Sequence, residues 1–363
     1  MSERMSSGEN AYGREKFERN EAHTAVERLA TEFGEHYKGI GYQEVPEVKV
    51  SSGIDPSVRF IGSHISVFKP EIIERRIPQP GEYMIQECIR TKNARELFND
   101  SYYPNFGSSF RSLGAISNYD RLNDVSRENI DFFIQKLGLK FDNIRIRISS
   151  RDQDLLTSIS GLVPKEIIEV DTQADAYYRH KIGIEGVVGR NYNIALMNAD
   201  RSGFTDVGNI IVLEDGRGKL GVETALGAST ILKQIYGLDH VNDCYPVSGL
   251  EAVDSKTIKR KLEDSIIVCT TLLREGLTPR ATENKERLLR TYLRAISYLR
   301  VKAQLTLADV NQVISDYELK QFPGQGLNVA TIITTYLDDY EQGLAKGKIS
   351  TKEDEVIASV LRQ

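Results

Sequence analysis

The sequence predicts an α+β fold, a largely antiparallel sheet flanked by helices and followed by an all-helical part. Three observations predict it. Short apolar runs divided by Gly, Pro and Asn fill about 39–150 and again about 165–222, which is the texture of strands and turns. Beyond about Lys256, Gly and Pro become scarce and apolar residues recur at helical spacing over long segments. The chain has 363 residues, which suits two domains at roughly 100–200 residues each. The composition change near 247–256 sets the boundary, giving a flexible N-terminus at 1–14, a sheet domain at 15–250 and a helical domain at 251–363.

Each element has its own signal. Phe17, Ala22, Val26, Leu29, Ala30, Phe33 and Tyr37 follow a period near 3.6 among charges, the mark of an amphipathic helix. Strands follow in YQEVPEVKV, SVRFIG, EYMIQECIR and NIRIRIS, with one helix at about 126–137. The second strand-rich section holds IIEVDT, YNIALMN and NIIVLED, and ends on a helix at about 223–236. GIEGVVG (183–189) and GRGKLG (216–221) read either as hairpin turns or as anion cradles, turns being the commoner meaning. Helices are expected at about 256–275, 283–303, 306–316 and 327–343.

Composition excludes several classes. The 47 basic and 52 acidic residues give a net charge of −5, and 40% of the chain is hydrophobic and 27% charged, which rules out disordered and fibrous proteins. Any nucleic-acid partner therefore needs a local basic site. No run of about 18 apolar residues exists, and the opening MSERMSSGENAYGREK lacks the apolar stretch of a signal peptide. We expect a cytoplasmic protein with no membrane attachment. Cys88, Cys244 and Cys269 lack paired spacing, so reduced thiols are expected. The P-loop, H-E-x-x-H and G-x-S-x-G signatures are absent, and the five scattered histidines read as surface or core polar residues.

An ordered constellation carries the chemistry. Asp55-Pro56 is followed by Phe60 and Phe68-Lys69, then by Gln86, Cys88 and Arg90 on one strand. After about twenty polar residues come Phe110 and Leu113-Gly114. A guanidinium at a strand end can grip phosphate or carboxylate with two prongs. Phe110 on the returning strand could stack on a purine, and the loop RTKNARELFNDSYYPNFGSSF could close over a nucleotide. Singly, such an arginine is more often a surface ion pair and such a phenylalanine a core residue.

Through these residues the chain resembles the catalytic half of the alanyl-tRNA synthetases, a class II synthetase family, over about 35–345. Asp206, Asn209 and NIIVLED resemble the strand before the third class II motif, and Glu223-Thr224 with Gly227 resemble that motif's start. ED-SIIVCTTLLREGLTP and ENKERLLRTYLRA resemble the family's first tRNA-recognition helices. The resemblance implies a six-stranded antiparallel sheet, and ATP-dependent activation of an amino acid as its adenylate. It implies Arg90 as the catalytic residue and Arg90, Phe110, Arg111 and Gly227 as ATP ligands. Tyr177, Asn209 and Glu223 would bind the amino acid, and Asp206 and Glu214 would hold Mg2+. The acceptor would be tRNA, reached through Asn284, Arg290 and Arg294, or else a small molecule or carrier protein. The family's first motif often builds a homodimer.

The departures from the family shape a second expectation. Thr230 stands where the third motif carries an arginine on the γ-phosphate, leaving Arg217, Lys219 or Lys233 to replace it. Gly208 replaces one tryptophan and Tyr177 a second, so the amino acid need not be alanine. Residues 274–300 hold seven Lys or Arg against three Glu, a pattern that also fits a solvated helix face. The alternative function is a non-catalytic paralogue that binds amino acid, nucleotide or tRNA as a regulatory module. Carboxyl attack on an α-phosphate needs alignment and charge neutralisation, which fits a site expected to lack a reactive Ser–His or Cys–His pair.

Overall fold

The computed structural model describes residues 10–362. In chain order the helices are α1 (Ala22–Ile40), α2 (Ile65–Glu74), α3 (Leu122–Asp131), α4 (Gln153–Ile159), α5 (Ala228–Tyr236), α6 (Lys256–Arg274), α7 (Asn284–Lys302), α8 (Leu307–Gln321), α9 (Val329–Ala345) and α10 (Lys352–Leu361). The strands are β1 (Gln43–Glu44), β2 (Glu82–Ile89), β3 (Ser109–Asn118), β4 (Ile144–Ile148), β5 (Ile168–Val170), β6 (Arg179–Lys181), β7 (Val188–Met197), β8 (Phe204–Asp215) and β9 (Gly218–Gly227).

All nine strands form one sheet in the order β1-β2-β3-β9-β8-β7-β4-β5, with β6 paired to β7. The six antiparallel strands are present as the unbroken run β2-β3-β9-β8-β7-β4. The sheet is larger than six strands, because β1 and β5 add parallel edges and β6 a short antiparallel one. Those additions are only two or three residues long; β1 falls within the run YQEVPEVKV and β5 within IIEVDT, whereas β6 has no run of its own.

Period-two alternation gives the sheet two different faces. Leu113, Ala115, Ile210 and Val212 join the large core beneath α1, α3 and α5, whereas Ile116, Met84, Ile211 and Leu213 form a smaller cluster with Ile65, Phe68 and Ile72 of α2. The large core runs without a break into α6 and α7 through Leu262, Ile266, Leu289 and Ile296. Ser255 caps α6, its hydroxyl accepting from the Ile258 amide, and Thr306 with Asp309 caps α8 reciprocally, each arrangement satisfying amides left free at a helix start.

Several boundaries differ from the sequence expectations. The segment at 223–236 is half strand: β9 continues through Gly227, and only then does α5 begin. Phe17 precedes α1 rather than lying in it. Helices α2, α4 and α10 carry no clear sequence signal; α2 contains Pro70, and α4 and α10 are only 7 and 10 residues long. Both glycine segments connect antiparallel strands, β6 to β7 and β8 to β9. Of the segment expected to be flexible, residues 1–9 lie outside the described residues, while Asn10 donates to the Ile235 carbonyl and Tyr12 to that of Met197. The three cysteines are buried and unpaired. Among the described residues no helix is long and apolar enough to cross a membrane.

Candidate active site

The β2–β3 pairing builds the site's rim. Cys88 lies opposite Phe110, and two residues further the Arg90 amide donates to the Ser108 carbonyl at 2.8 Å. Arg90 Nε donates to the Gly62 carbonyl at 2.7 Å. Its guanidinium carbon sits 4.8 Å from the centre of the Phe110 ring. The two residues expected to flank a nucleotide thus meet on one side of the sheet, with the cation covering one face of the ring.

Beside them opens a cavity of about 330 Å³. Ser63, Lys92, Phe106 and Ser112 line it together with Asp206 to Asn209 of β8, and Ala225 to Gly227 of β9 lead into Ser229 and Thr230 on the first turn of α5. No side chain caps α5. Its opening turn therefore presents free amides and the positive end of its dipole, a setting that favours anions. Lys92 and Arg90 add two cations. Among the described residues Asp206 is the one acidic residue on the wall; Arg147 Nη1 donates to it at 2.7 Å and Asn193 Nδ2 at 3.0 Å. Burial raises the Asp206 pKa against the opposing pull of Arg147. Asn209 donates to Asn193 at 2.7 Å.

Behind Ser112 lies a buried group of three polar side chains. His64 Nδ1 is 2.8 Å from Ser112 Oγ, and His64 Nε2 is 2.9 Å from Glu223 Oε1. His64 is wholly buried and Glu223 only 2% exposed. The imidazole lies flat against Gly114, where a Cβ would come within 2.1 Å of the ring. Gly114→Ala should therefore lower stability by about 1–3 kcal/mol, the usual range for overpacking. Urea unfolding checks this, and an unchanged midpoint would show that the ring moves freely.

The fold gathers Arg90, Phe110, Asp206, Asn209 and Gly227 around the cavity, with Thr230, and separates the remaining candidates. Arg111 alternates to the opposite face, where it pairs with Glu27 of α1 and lies 3.9 Å from Glu87. Tyr177 is outside the cavity with its ring edge-on to Tyr178 at 5.3 Å. Glu223 is buried 2.9 Å from His64 Nε2 and does not line the cavity. Asp206 and Glu214 are eight positions apart on β8, about 26 Å at ~3.3 Å per residue, so they cannot share a metal ion. Arg190 and Lys219 pair with Glu214, and among the described residues no group of three or more His, Cys, Asp or Glu could hold a metal. Arg217 and Lys219 sit at the far end of the β8–β9 hairpin, paired with Asp215 and Glu214. Lys233 does not line the cavity.

The upstream residues serve the frame. Asp55 pairs with Lys69 at 2.6 Å; burial would raise its pKa, but the Lys69 ammonium and the hydroxyls of Ser66 and Ser57 hold it down to about 2. Gln86 is buried and bonds the Val48 amide and carbonyl. The loop after Arg90 is strapped to the helices rather than left free to close. Asp264 of α6 accepts from the Ser108 amide at 2.6 Å, the Ser108 hydroxyl at 2.7 Å and Asn93 Nδ2 at 3.2 Å. Lys261 donates to the Glu96 carbonyl at 2.6 Å, and Tyr298 of α7 donates to Asp100 at 2.8 Å.

The cations expected to meet tRNA are largely spent internally. Arg290 donates to the Pro279 and Ala281 carbonyls, Arg294 lies 3.6 Å from Asp354 and over the Tyr340 ring, and Arg274 and Arg300 pair with Glu318 and Glu341. Asn284 is exposed at the start of α7. A second, open cavity of about 870 Å³ shares Arg90 and Lys92 with the first and adds Arg59, Arg95 and Arg287 against Glu353. Sequence reasoning missed this groove because its cations come from three distant segments. It also missed Lys92, Ser112, His64 and Asp264; only Lys92, two residues after Arg90, carried a local signal.

No protein-family model matches the sequence, and no curated protein does. Solved structures similar to this chain include a pyrrolysyl-tRNA synthetase from Desulfitobacterium hafniense, at 9% identity and a TM-score of 0.37, covering 60% of this chain and 71% of that one. The asparaginyl-tRNA synthetase of Pyrococcus horikoshii gives 12% and 0.39 over 63% and 67%. The RNA-binding domain of the threonyl-tRNA synthetase from Cryptosporidium parvum Iowa II gives 10% and 0.38 over 61% and 73%.

Proposed function

We propose that the chain binds ATP in the cavity beside Arg90 and activates an amino acid as its adenylate, as its sequence resemblance to the alanyl-tRNA synthetases implies. The observation that carries this reading is the meeting of Arg90 and Phe110 at the mouth of a cavity floored by the uncapped start of α5. The phosphates lie between the Arg90 and Lys92 cations and the α5 amides, and the adenine on Phe110. An exposed cation–π contact is worth about 0.5–1 kcal/mol, so the guanidinium can leave the ring for phosphate oxygens, which bind it more strongly. The step is then in-line attack by the acid's carboxylate on the α-phosphorus, with pyrophosphate leaving and Arg90 stabilising the charge that develops. The test is ATP–pyrophosphate exchange by the full chain over a panel of acids. Alanine has no special standing in the panel, because Gly208 and Tyr177 stand where the resemblance expects tryptophans.

Thr230 favours a second reading. It lines the cavity with a hydroxyl where the resemblance expects an arginine, so a site that binds nucleotide without turning it over also fits. Binding of ATP with no exchange for any acid would favour that regulatory module. If RNA is the acceptor, its phosphates run along Arg59, Arg95 and Arg287 rather than along Arg290 and Arg294. Three contacts would give a log–log salt slope of about −2 for a single strand. Arg287→Glu should flatten that slope, while Arg294→Ala should leave affinity unchanged; the reverse pattern would return the interface to the α7 residues first expected.

A further inference from the structure

We propose that Ser112 is an acyl-accepting nucleophile with His64 as its general base. That its natural acyl donor is an adenylate rests on the adenylation reading; the nucleophile itself does not. Ser112 lines the cavity, and His64 Nδ1 lies 2.8 Å from its Oγ, within reach of the hydroxyl proton. Glu223 Oε1 lies 2.9 Å from the other ring nitrogen, an ion-pair distance once the imidazole has taken that proton. The β3–β9 register sets Ser112 directly opposite Gly227, the residue from which α5 starts. The amides of the first α5 turn therefore open beside the hydroxyl, where a carbonyl oxygen under attack would gain negative charge.

The base is held in place. His64 is the residue on which α2 begins, it is wholly buried, and its ring is seated on the bare backbone of Gly114. Glu223 is as little exposed as its neighbour Ser112, at 2% and 4%, so its charge is weakly screened and favours a positive imidazole beside it. A serine, a histidine and a carboxylate in this order form a nucleophile recognised by geometry rather than by position in a sequence.

In the step, Ser112 Oγ attacks the carbonyl carbon of the acyl adenylate while His64 takes its proton. The bond from that carbon to the phosphate oxygen breaks, His64 hands the proton to the departing AMP, and an ester remains on Ser112. The imidazole then takes a proton from an incoming amine, hydroxyl or water and returns it to Ser112 Oγ as the ester breaks. The acceptor thus receives the acyl group from the protein.

The experiment treats the full chain with p-nitrophenyl acetate in the absence of ATP, quenches in acid and maps the acetylated peptides by mass. The expected result is a stoichiometric burst of p-nitrophenolate and an acetyl group on Ser112. His64→Ala should slow acylation at least about 100-fold. Glu223→Gln should slow it at least about tenfold at saturating ester, with the half-saturating concentration unchanged. No burst, or acetyl groups elsewhere with Ser112 bare, would overturn the inference; because that mapping is done on the wild type, it decides even where a variant fails to fold. An unchanged rate in a folded His64→Ala would also overturn it. ATP–pyrophosphate exchange over the twenty amino acids keeps the two readings apart. Exchange with Ser112 never acylated would overturn the inference and leave adenylation intact, whereas acetylation of Ser112 without exchange would uphold the nucleophile and overturn adenylation.

Discussion

Arg90→Ala should lower adenylate formation by at least about 100-fold, the scale lost when one donor to a developing transition-state charge is removed. Its fold should survive, because Arg90 is exposed and its folded-state contacts are a hydrogen bond to Gly62 and the stack on Phe110. Those contacts are worth about 1 kcal/mol each. Arg90→Lys keeps the charge without the planar fork and should recover only part of the rate. Exchange kinetics beside a thermal melt separate the outcomes. A rate unchanged in Arg90→Ala would remove the guanidinium from the chemistry.

The largest loss of stability should follow Asp264→Ala. Its carboxylate is fully buried and joins α6 to both ends of the loop between β2 and β3 through Ser108 and Asn93. Removing it leaves the buried Ser108 amide and one Asn93 N–H without an acceptor, at a cost of about 1–3 kcal/mol for each donor left unsatisfied. Phe106 and Gly107, next to Ser108, line the cavity beside Arg90, so under the proposed function ATP affinity should fall as well.

Asp264 also predicts a pH dependence. Burial raises its pKa to about 6, against the lowering effect of the Ser108 and Asn93 bonds. The folded state therefore holds the proton more tightly than the unfolded chain, whose carboxyl titrates near the usual value of about 4. The resulting stability is fully present below about pH 4 and is lost as the pH rises through 6, a change of roughly 3 kcal/mol for two units. The difference in unfolding free energy between the wild type and Asp264→Asn, measured between pH 4 and 6.5, should follow that fall. A flat difference would mean that Asp264 is ionised throughout.

How much of this was legible in the sequence depends on how local each signal was. Arg90 and Phe110 could be found because strand alternation and one hairpin fix their relation, and the register of Cys88 opposite Phe110 realises it. The same alternation argued against Arg111, the next residue, and should have placed it under α1. The runs EYMIQECIR, NIRIRIS, YNIALMN and NIIVLED became β2, β4, β7 and β8, and IIEVDT became the short β5. SVRFIG formed no strand, β6 is only three residues long, and β9 was read as a turn and the start of a helix.

Long-range polar contacts were not readable. His64 reaches Ser112 and Glu223 across 48 and 159 positions, and nothing in the residues around it marks the imidazole as their bridge. The excess charge at 274–300 misled for a related reason. The partners that consume Arg274, Arg294 and Arg300 lie on α8, α9 and α10, where spacing along one helix cannot reveal them.

The most direct test of the central claim is calorimetric titration of the full chain with ATP, repeated for Phe110→Ala and Arg90→Ala. The account predicts saturable binding by the wild type, weakened at least tenfold in each variant and much weaker for GTP. Binding unaltered by either substitution, or no binding at all, would contradict it.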